Sequence, residues 1–215
     1  MKSRSDLIGF DVMQLSRAEG VILEAVDRFG EDRLALAASW QKETAVLVDL
    51  VRQHAPAARI FTLDTGELFP ETYETWRRVE QRYGIEVESW RGDWVHGLWA
   101  SDPDRCCFLR KVEPLERALE DADCWISGVR RDQSPDRART EELDWDERHG
   151  LWKANPLASW SEHEVWAYIA RHDLPYNPLH DQGYSSIGCT HCTLPSDDRA
   201  GRWTGTGKLE CGLHG

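Results

Sequence analysis

Six cysteines stand at positions 106, 107, 124, 189, 192 and 211. Thiolates are nucleophiles and soft metal ligands. With no secretory pattern after "MKSRSDLIGF", they fit a reducing compartment, where metal binding and catalysis are commoner uses than disulfides. Cys189 and Cys192 form C-x-x-C, a spacing that lets two thiolates face one centre from a tight turn. A redox dithiol of thioredoxin type would lie between a strand and a helix, whereas this motif lies in a proline-bounded loop. The adjacent Cys106 and Cys107 are the other pair able to complete a four-sulfur set. Neighbouring cysteines suit a tetrahedral zinc ion poorly and an iron–sulfur cluster better, because each thiol can then bind a separate iron. From spacing alone a cluster, a zinc site and incidental buried thiols all stay open. Cys124 opens an apolar strand and reads as a small core residue. Cys211 sits in the terminal "KLECGLHG", a stretch too short to pack a core.

The second chemical resource is positive charge. Basic residues gather in "RKVE" (110–113), "VRRDQSPDRAR" (129–139) and "DRAGRW" (198–203). The formal net charge of -12 argues against nonspecific nucleic-acid binding but leaves room for a local anion site. No apolar run approaches the ~20 residues of a membrane helix, so the expectation is a cytoplasmic protein.

These groups must be positioned by a repeated strand-then-helix pattern. "RLALAAS" (33–39) reads as a buried parallel strand and "KETAVLVDLVRQHA" (42–55) as its helix. "RIFTLDTG" (59–66) is a second strand ending in a turn, and the helix over 70–84 opens at Pro70 and closes at Gly84. A third strand is expected at 85–89, a helix at "VEPLERALEDA" and a fourth strand at 124–130. A late helix over 161–173 has Ser161 as N-cap and Glu164 completing a capping box. The alternation implies an α/β fold, a parallel sheet covered by helices, with ligands at the carboxyl ends of the strands. Ser39 to Glu43, Asp64 to Gly66 and Gly128 to Arg131 fall there. The Pro- and Gly-rich segment 172–198 is a loop long enough to need pinning, as by a metal site.

Six ordered motifs, "LDTGELFPETY", "CC" with "RKVEPL", "GVRRDQSP", "LPYNPLHDQGYSSIGCTHC", "GRW" and "ECGLH", resemble the assimilatory sulfonucleotide reductases over about residues 33–215. More narrowly they are similar to the cluster-bearing branch, the thioredoxin-dependent adenylyl-sulfate (APS) reductases. The resemblance implies an adenine-nucleotide alpha hydrolase-like (Rossmann-like) domain over 1–198 and a mobile C-terminal segment, 199–215, carrying the catalytic cysteine. It implies a 4Fe-4S cluster on Cys106, Cys107, Cys189 and Cys192. Cys211 would attack the sulfur of the substrate, release AMP and carry a cysteine S-sulfonate that thioredoxin resolves to sulfite, in sulfate assimilation and cysteine biosynthesis. Lys111 would stand between cluster and substrate. Arg199, Arg202 and Arg137, with Arg139 as the alternative to the last, would bind the phosphosulfate. Ser39 and Lys42 would touch substrate, and Asp64, Thr65 and Gly66 would border the adenosine. His214 either tunes Cys211 or merely ends the tail.

Two departures stand out. The first βα turn, "SWQKET", lacks the glycine that many relatives carry, and "SDPDR" precedes Cys106 without the expected histidine or glycines. Competing readings are a reductase of the 3'-phosphorylated substrate PAPS or of both nucleotides, an adenylating enzyme, whose "SGGKDS"-like loop is missing, and a non-catalytic nucleotide-binding iron–sulfur or zinc sensor. Homo-oligomerisation is left open.

Overall fold

The computed structural model describes residues 12–206, 208 and 210–214. In chain order the elements are α1 (Val12–Phe29), β1 (Leu34–Ala38), α2 (Lys42–His54), β2 (Arg59–Leu63), α3 (Pro70–Tyr83), β3 (Glu88–Trp90), α4 (Leu98–Ser101) and α5 (Pro103–Cys107). After α5 come a π-helical turn (Phe108–Val112), α6 (Glu113–Leu119), β4 (Cys124–Ile126), β5 (Leu143–Asp146), β6 (Leu151–Ala154) and α7 (Glu162–His172). Among the described residues no helix is long and apolar enough to cross a membrane.

The chain divides into two compact units interleaved in sequence. The first comprises 1–38, 42–60 and 121–176, of which residues from 12 onward are described. Its strands run β1-β4-β6-β5, with β1 parallel to β4 and β4 parallel to β6. The edge strand β5 is antiparallel to β6, so the expectation of an all-parallel sheet is corrected at this edge. A four-residue turn joins the two strands, and a turn that short permits only an antiparallel hairpin. Leu34, Leu36, Trp125 and Ile126 fill the strand core, as the unbroken apolar run requires. Helix α7 packs on α2, where Tyr168 Oη donates to Asp49 Oδ2 at 2.7 Å. Its N-terminus is closed by the expected capping box, with Glu164 N donating to Ser161 Oγ and Ser161 N to Glu164 Oε2.

The second unit comprises 39–41, 61–120 and 177–215. Within it β2 runs parallel to β3, with Phe61 opposite Glu88 and Leu63 opposite Trp90. Helix α3 starts at Pro70 and stops at Gly84, whose left-handed backbone (φ 62°) accommodates the helix end. Strand β3 begins later than expected because Val87 N is already engaged by the Glu80 carboxylate. The segment 177–203 forms short 3-10 turns (178–182, 190–192 and 199–201) and isolated bridges, including Leu68 with Cys189 and Thr193 with Arg202.

The glycine-less turn is accommodated in an unforeseen way. Trp40 itself adopts the left-handed conformation, φ 60°, which costs ~1–2 kcal/mol for a residue with a side chain. Its buried indole repays this by donating to Thr62 Oγ1 at 2.8 Å and stacking on Trp76.

Candidate active site

The cysteines are assembled within the second unit. Asp102 caps α5 by accepting from Arg105 N, which sets Cys106 and Cys107 at the helix end, both buried. The helix then continues as a π turn, a rare conformation concentrated at functional sites. That turn carries Arg110 and Lys111. From the loop side, Thr190 N donates to Glu67 O at 2.8 Å and Thr65 Oγ1 lies 3.4 Å from Cys189 Sγ. Cys192 N donates to Cys189 O at 3.0 Å and Trp203 N to Cys192 O at 2.9 Å, so the C-x-x-C turn is tied to the segment leading into the tail. Cys106, Cys107, Cys189 and Cys192 line one pocket with Arg110, Lys111, Glu67, His191, Trp99 and Trp203. Among the described residues no three His, Cys, Asp or Glu side chains converge so as to hold a metal ion.

Charge in this pocket is arranged around the thiols. Burial pushes the Cys106 thiol up, and burial together with the Cys189 charge takes Cys192 up to about 11. Cys189 goes the other way: burial opposes ionisation, but Lys111, the Thr65 hydroxyl, Arg202 and Arg110 outweigh it. Lys111 is held above its ordinary range although burial works against its charge, because the Cys189 and Cys211 thiolates lie close to it.

Arg110 is buried, donates to the carbonyls of Thr65 and Val95, and pairs with Glu67 at 3.6 Å. Glu67 also takes His191 Nε2 at 2.8 Å, and His191 stacks on Trp99 with centroids 4.7 Å apart. Arg110 was visible in sequence as the first residue of "RKVE"; Glu67, His191 and Trp203 lie within quoted motifs but were given no role there, and Trp99 had no local signal. Arg202 is buried, donating to Ser186 Oγ and Ile187 O at 3.2 Å each, and its guanidinium lies over the Trp203 ring. It rests against Gly188, where an added Cβ would fall 2.3 Å from Nη2. Arg199 pairs with Glu210 at 3.0 Å, and His214 is half-buried.

The turn after β2 is tightly held. Asp64 accepts from Tyr73 Oη at 2.7 Å, Arg91 Nε at 2.9 Å and Gly66 N at 2.9 Å. Burial opposes ionisation of Asp64, but these donors keep its carboxyl below the usual range. Ser39 lies next to Trp40, and Gln41 Oε1 accepts from Ile187 N at 3.1 Å, tying this turn to the C-x-x-C loop.

Lys42 and Arg137 belong to the first unit. The Lys42 ammonium is 3.2 Å from Glu162 Oε1. Arg130 and Glu43 form a buried pair at 2.9 Å, Gln133 also donates to Glu43, and Arg137 Nη1 donates to Gln133 Oε1. Gly128 permits this packing, since a Cβ there would come within 2.9 Å of Glu43 Cβ.

A phosphoadenosine phosphosulfate reductase domain is matched over residues 33–195. The chain is 43% identical to an adenosine 5'-phosphosulfate reductase of Lysinibacillus sphaericus, over 96% of this chain and 95% of the relative. It is 44% identical to a phosphoadenosine 5'-phosphosulfate reductase of Gloeobacter violaceus, over 91% of this chain and 88% of that one. The crystal structure of phosphoadenylyl-sulfate reductase from Candida auris superposes with a TM-score of 0.74 at 27% identity, covering 90% of this chain and 98% of that one. With the domain matched over most of its length and such relatives spanning nearly all of it, the chain belongs to the phosphoadenosine phosphosulfate reductase family.

Proposed function

We propose that this protein reduces adenosine 5'-phosphosulfate to sulfite and AMP, with Cys211 as nucleophile, in sulfate assimilation. The observation that carries this reading is the pocket that four cysteines line together with Arg110 and Lys111, whose ammonium charge is also favoured by Cys211. The attacking form of a cysteine is its thiolate. The Cys211 thiolate attacks the sulfate sulfur. The bond from sulfur to the bridging oxygen breaks, AMP leaves with the electron pair, and Cys211 holds the S-sulfonate. One thiol of an external dithiol, of which thioredoxin is the expected form, then attacks Cys211 Sγ and expels sulfite. Its second thiol resolves the mixed disulfide, so the two electrons come from the dithiol.

Four thiols around one pocket, with Arg110 and Lys111 against their charge and the Thr65 hydroxyl beside Cys189, fit a four-thiolate iron–sulfur cluster. When bound, the cluster would supply a fixed charge and a rigid brace for the C-x-x-C loop. Arg199 and Arg202 would grip the phosphosulfate, with Asp64, Thr65, Gly66 and Ser39 bordering the nucleoside.

The test is to incubate the protein with APS or PAPS, without reductant, and map adducts by peptide mass. One SO3 unit at position 211, lost on adding thioredoxin with release of sulfite, is the expected result. Parallel runs on both nucleotides decide the substrate. Absence of that adduct with either nucleotide refutes the reading.

A further inference from the structure

Two ion pairs hold the tail, both on the stretch that leads into the nucleophile. Lys208 Nζ pairs with Asp104 on the helix that ends in Cys106 and Cys107. Glu210, immediately before Cys211, pairs with Arg199 at 3.0 Å. Arg199 is well anchored: it opens the 3-10 turn 199–201, whose first free amide, Ala200 N, is accepted by Asp198 Oδ1 at 2.7 Å, and its carbonyl takes Arg202 N at 2.9 Å. The acidic partner therefore belongs to the arm and the basic partner to the body of the unit.

Resting on the reductase reading above, we propose that Glu210 is a positioning residue that acts as an internal stand-in for the substrate anion. Its carboxylate occupies Arg199 in the ligand-free protein, and arrival of the phosphosulfate displaces it and frees the Cys211 arm.

The argument is one of competition. Carboxylate and phosphosulfate both present paired oxygens to a guanidinium fork, and one fork seats one such anion well. Among the described residues Arg202 donates hydrogen bonds to neutral partners, Ser186 Oγ and Ile187 O, and keeps a buried Nε without a hydrogen-bond partner, so it can receive an anion with no carboxylate to expel. Arg199 cannot. Binding at the two arginines therefore requires Arg199 to exchange one anion for another, and the anion it gives up is covalently next to the nucleophile. The Cys211 arm stays tied to Arg199 until substrate is present.

The test uses the Cys211→Ser protein, which cannot turn over, and titrates APS calorimetrically in a double-mutant cycle of E210Q and R199Q. A half-exposed pair of this kind shifts an equilibrium by about fivefold. E210Q should bind APS about fivefold tighter, an effect weakening with salt. R199Q should bind more weakly, and in the R199Q background E210Q should change nothing. Equal or weaker binding by E210Q overturns the proposal. So does an equal tightening in the R199Q background, which would mark a general loss of negative charge rather than competition for Arg199. A Cys211→Ser protein that binds neither APS nor PAPS overturns the reductase reading itself, an outcome distinct from normal binding unaffected by E210Q.

Discussion

Replacing Arg130 by Met probes the buried polar scaffold of the first unit. Arg130 and Glu43 are 3% and 5% exposed in their side chains and meet at 2.9 Å. Removing one member of a buried pair strands the other and costs ~3–5 kcal/mol. Gln133 Nε2, 3.2 Å from Glu43, and the Lys42 charge remain, placing the expected loss near ~3 kcal/mol. Against a total stability of ~5–15 kcal/mol this is large, and corresponds to a fall of ~6–12 °C in Tm for a chain of this size. The pH dependence carries its own sign. Burial opposes ionisation of Glu43, but Lys42 and Arg130 hold its folded-state carboxyl below the unfolded value. The native pair's contribution is therefore present above the unfolded pKa of ~4.3 and lost as pH falls through the folded value. Without Arg130, burial is less opposed and the carboxyl rises, so the variant regains stability on acidification. The difference between the two proteins should be largest near neutrality and shrink toward ~pH 5. Guanidinium titration followed by tryptophan fluorescence at several pH values measures this, with E43M/R130M as the control that replaces both charges and should recover most of the loss. A single variant within ~1 kcal/mol of wild type, or a double variant no better than the single, refutes the reasoning.

Lys111→Met should slow S-sulfonate formation at Cys211 by about 10- to 100-fold, the cost of losing one charge-assisted contact, in a single-turnover mass assay. Gly188→Ala places a Cβ against the Arg202 guanidinium; by displacing that group rather than backbone, it should weaken APS binding about tenfold in calorimetry while moving the Tm little. Burial lowers the Lys153 ammonium to about 8, with Asp146 opposing and Arg137 assisting. The folded state then binds fewer protons than the unfolded state between pH ~8 and ~10.4, so stability should rise with pH across that window. Lys153→Met should raise stability by ~1–2 kcal/mol at pH 7 and abolish that rise, as read by chemical denaturation; a variant that keeps the slope contradicts the assignment.

The helix over Pro70–Tyr83, its stop at Gly84, the capping box of α7 and the buried strands β1 and β4 were legible from residue order. Each rests on contacts within a few positions or on one apolar run. The four cysteines and the basic stretches could be named as chemical types for the same reason. Helix α1 and the hairpin of β5 and β6 went unread, and the antiparallel edge that the hairpin makes is set by strand pairing that no local pattern encodes.

What the order of residues could not settle was which charges meet. Glu67 joins Arg110 and His191, Glu43 takes Arg130, and Glu210 takes Arg199, across separations of 11 to 124 positions. Those pairings, like the left-handed Trp40 held by its buried indole, are favourable only once the fold has brought distant groups together and excluded water between them. The chain's own sequence therefore determined the kind of chemistry available, thiols and cations on an α/β frame. Tertiary structure alone decided which cation each thiol and each carboxylate would face.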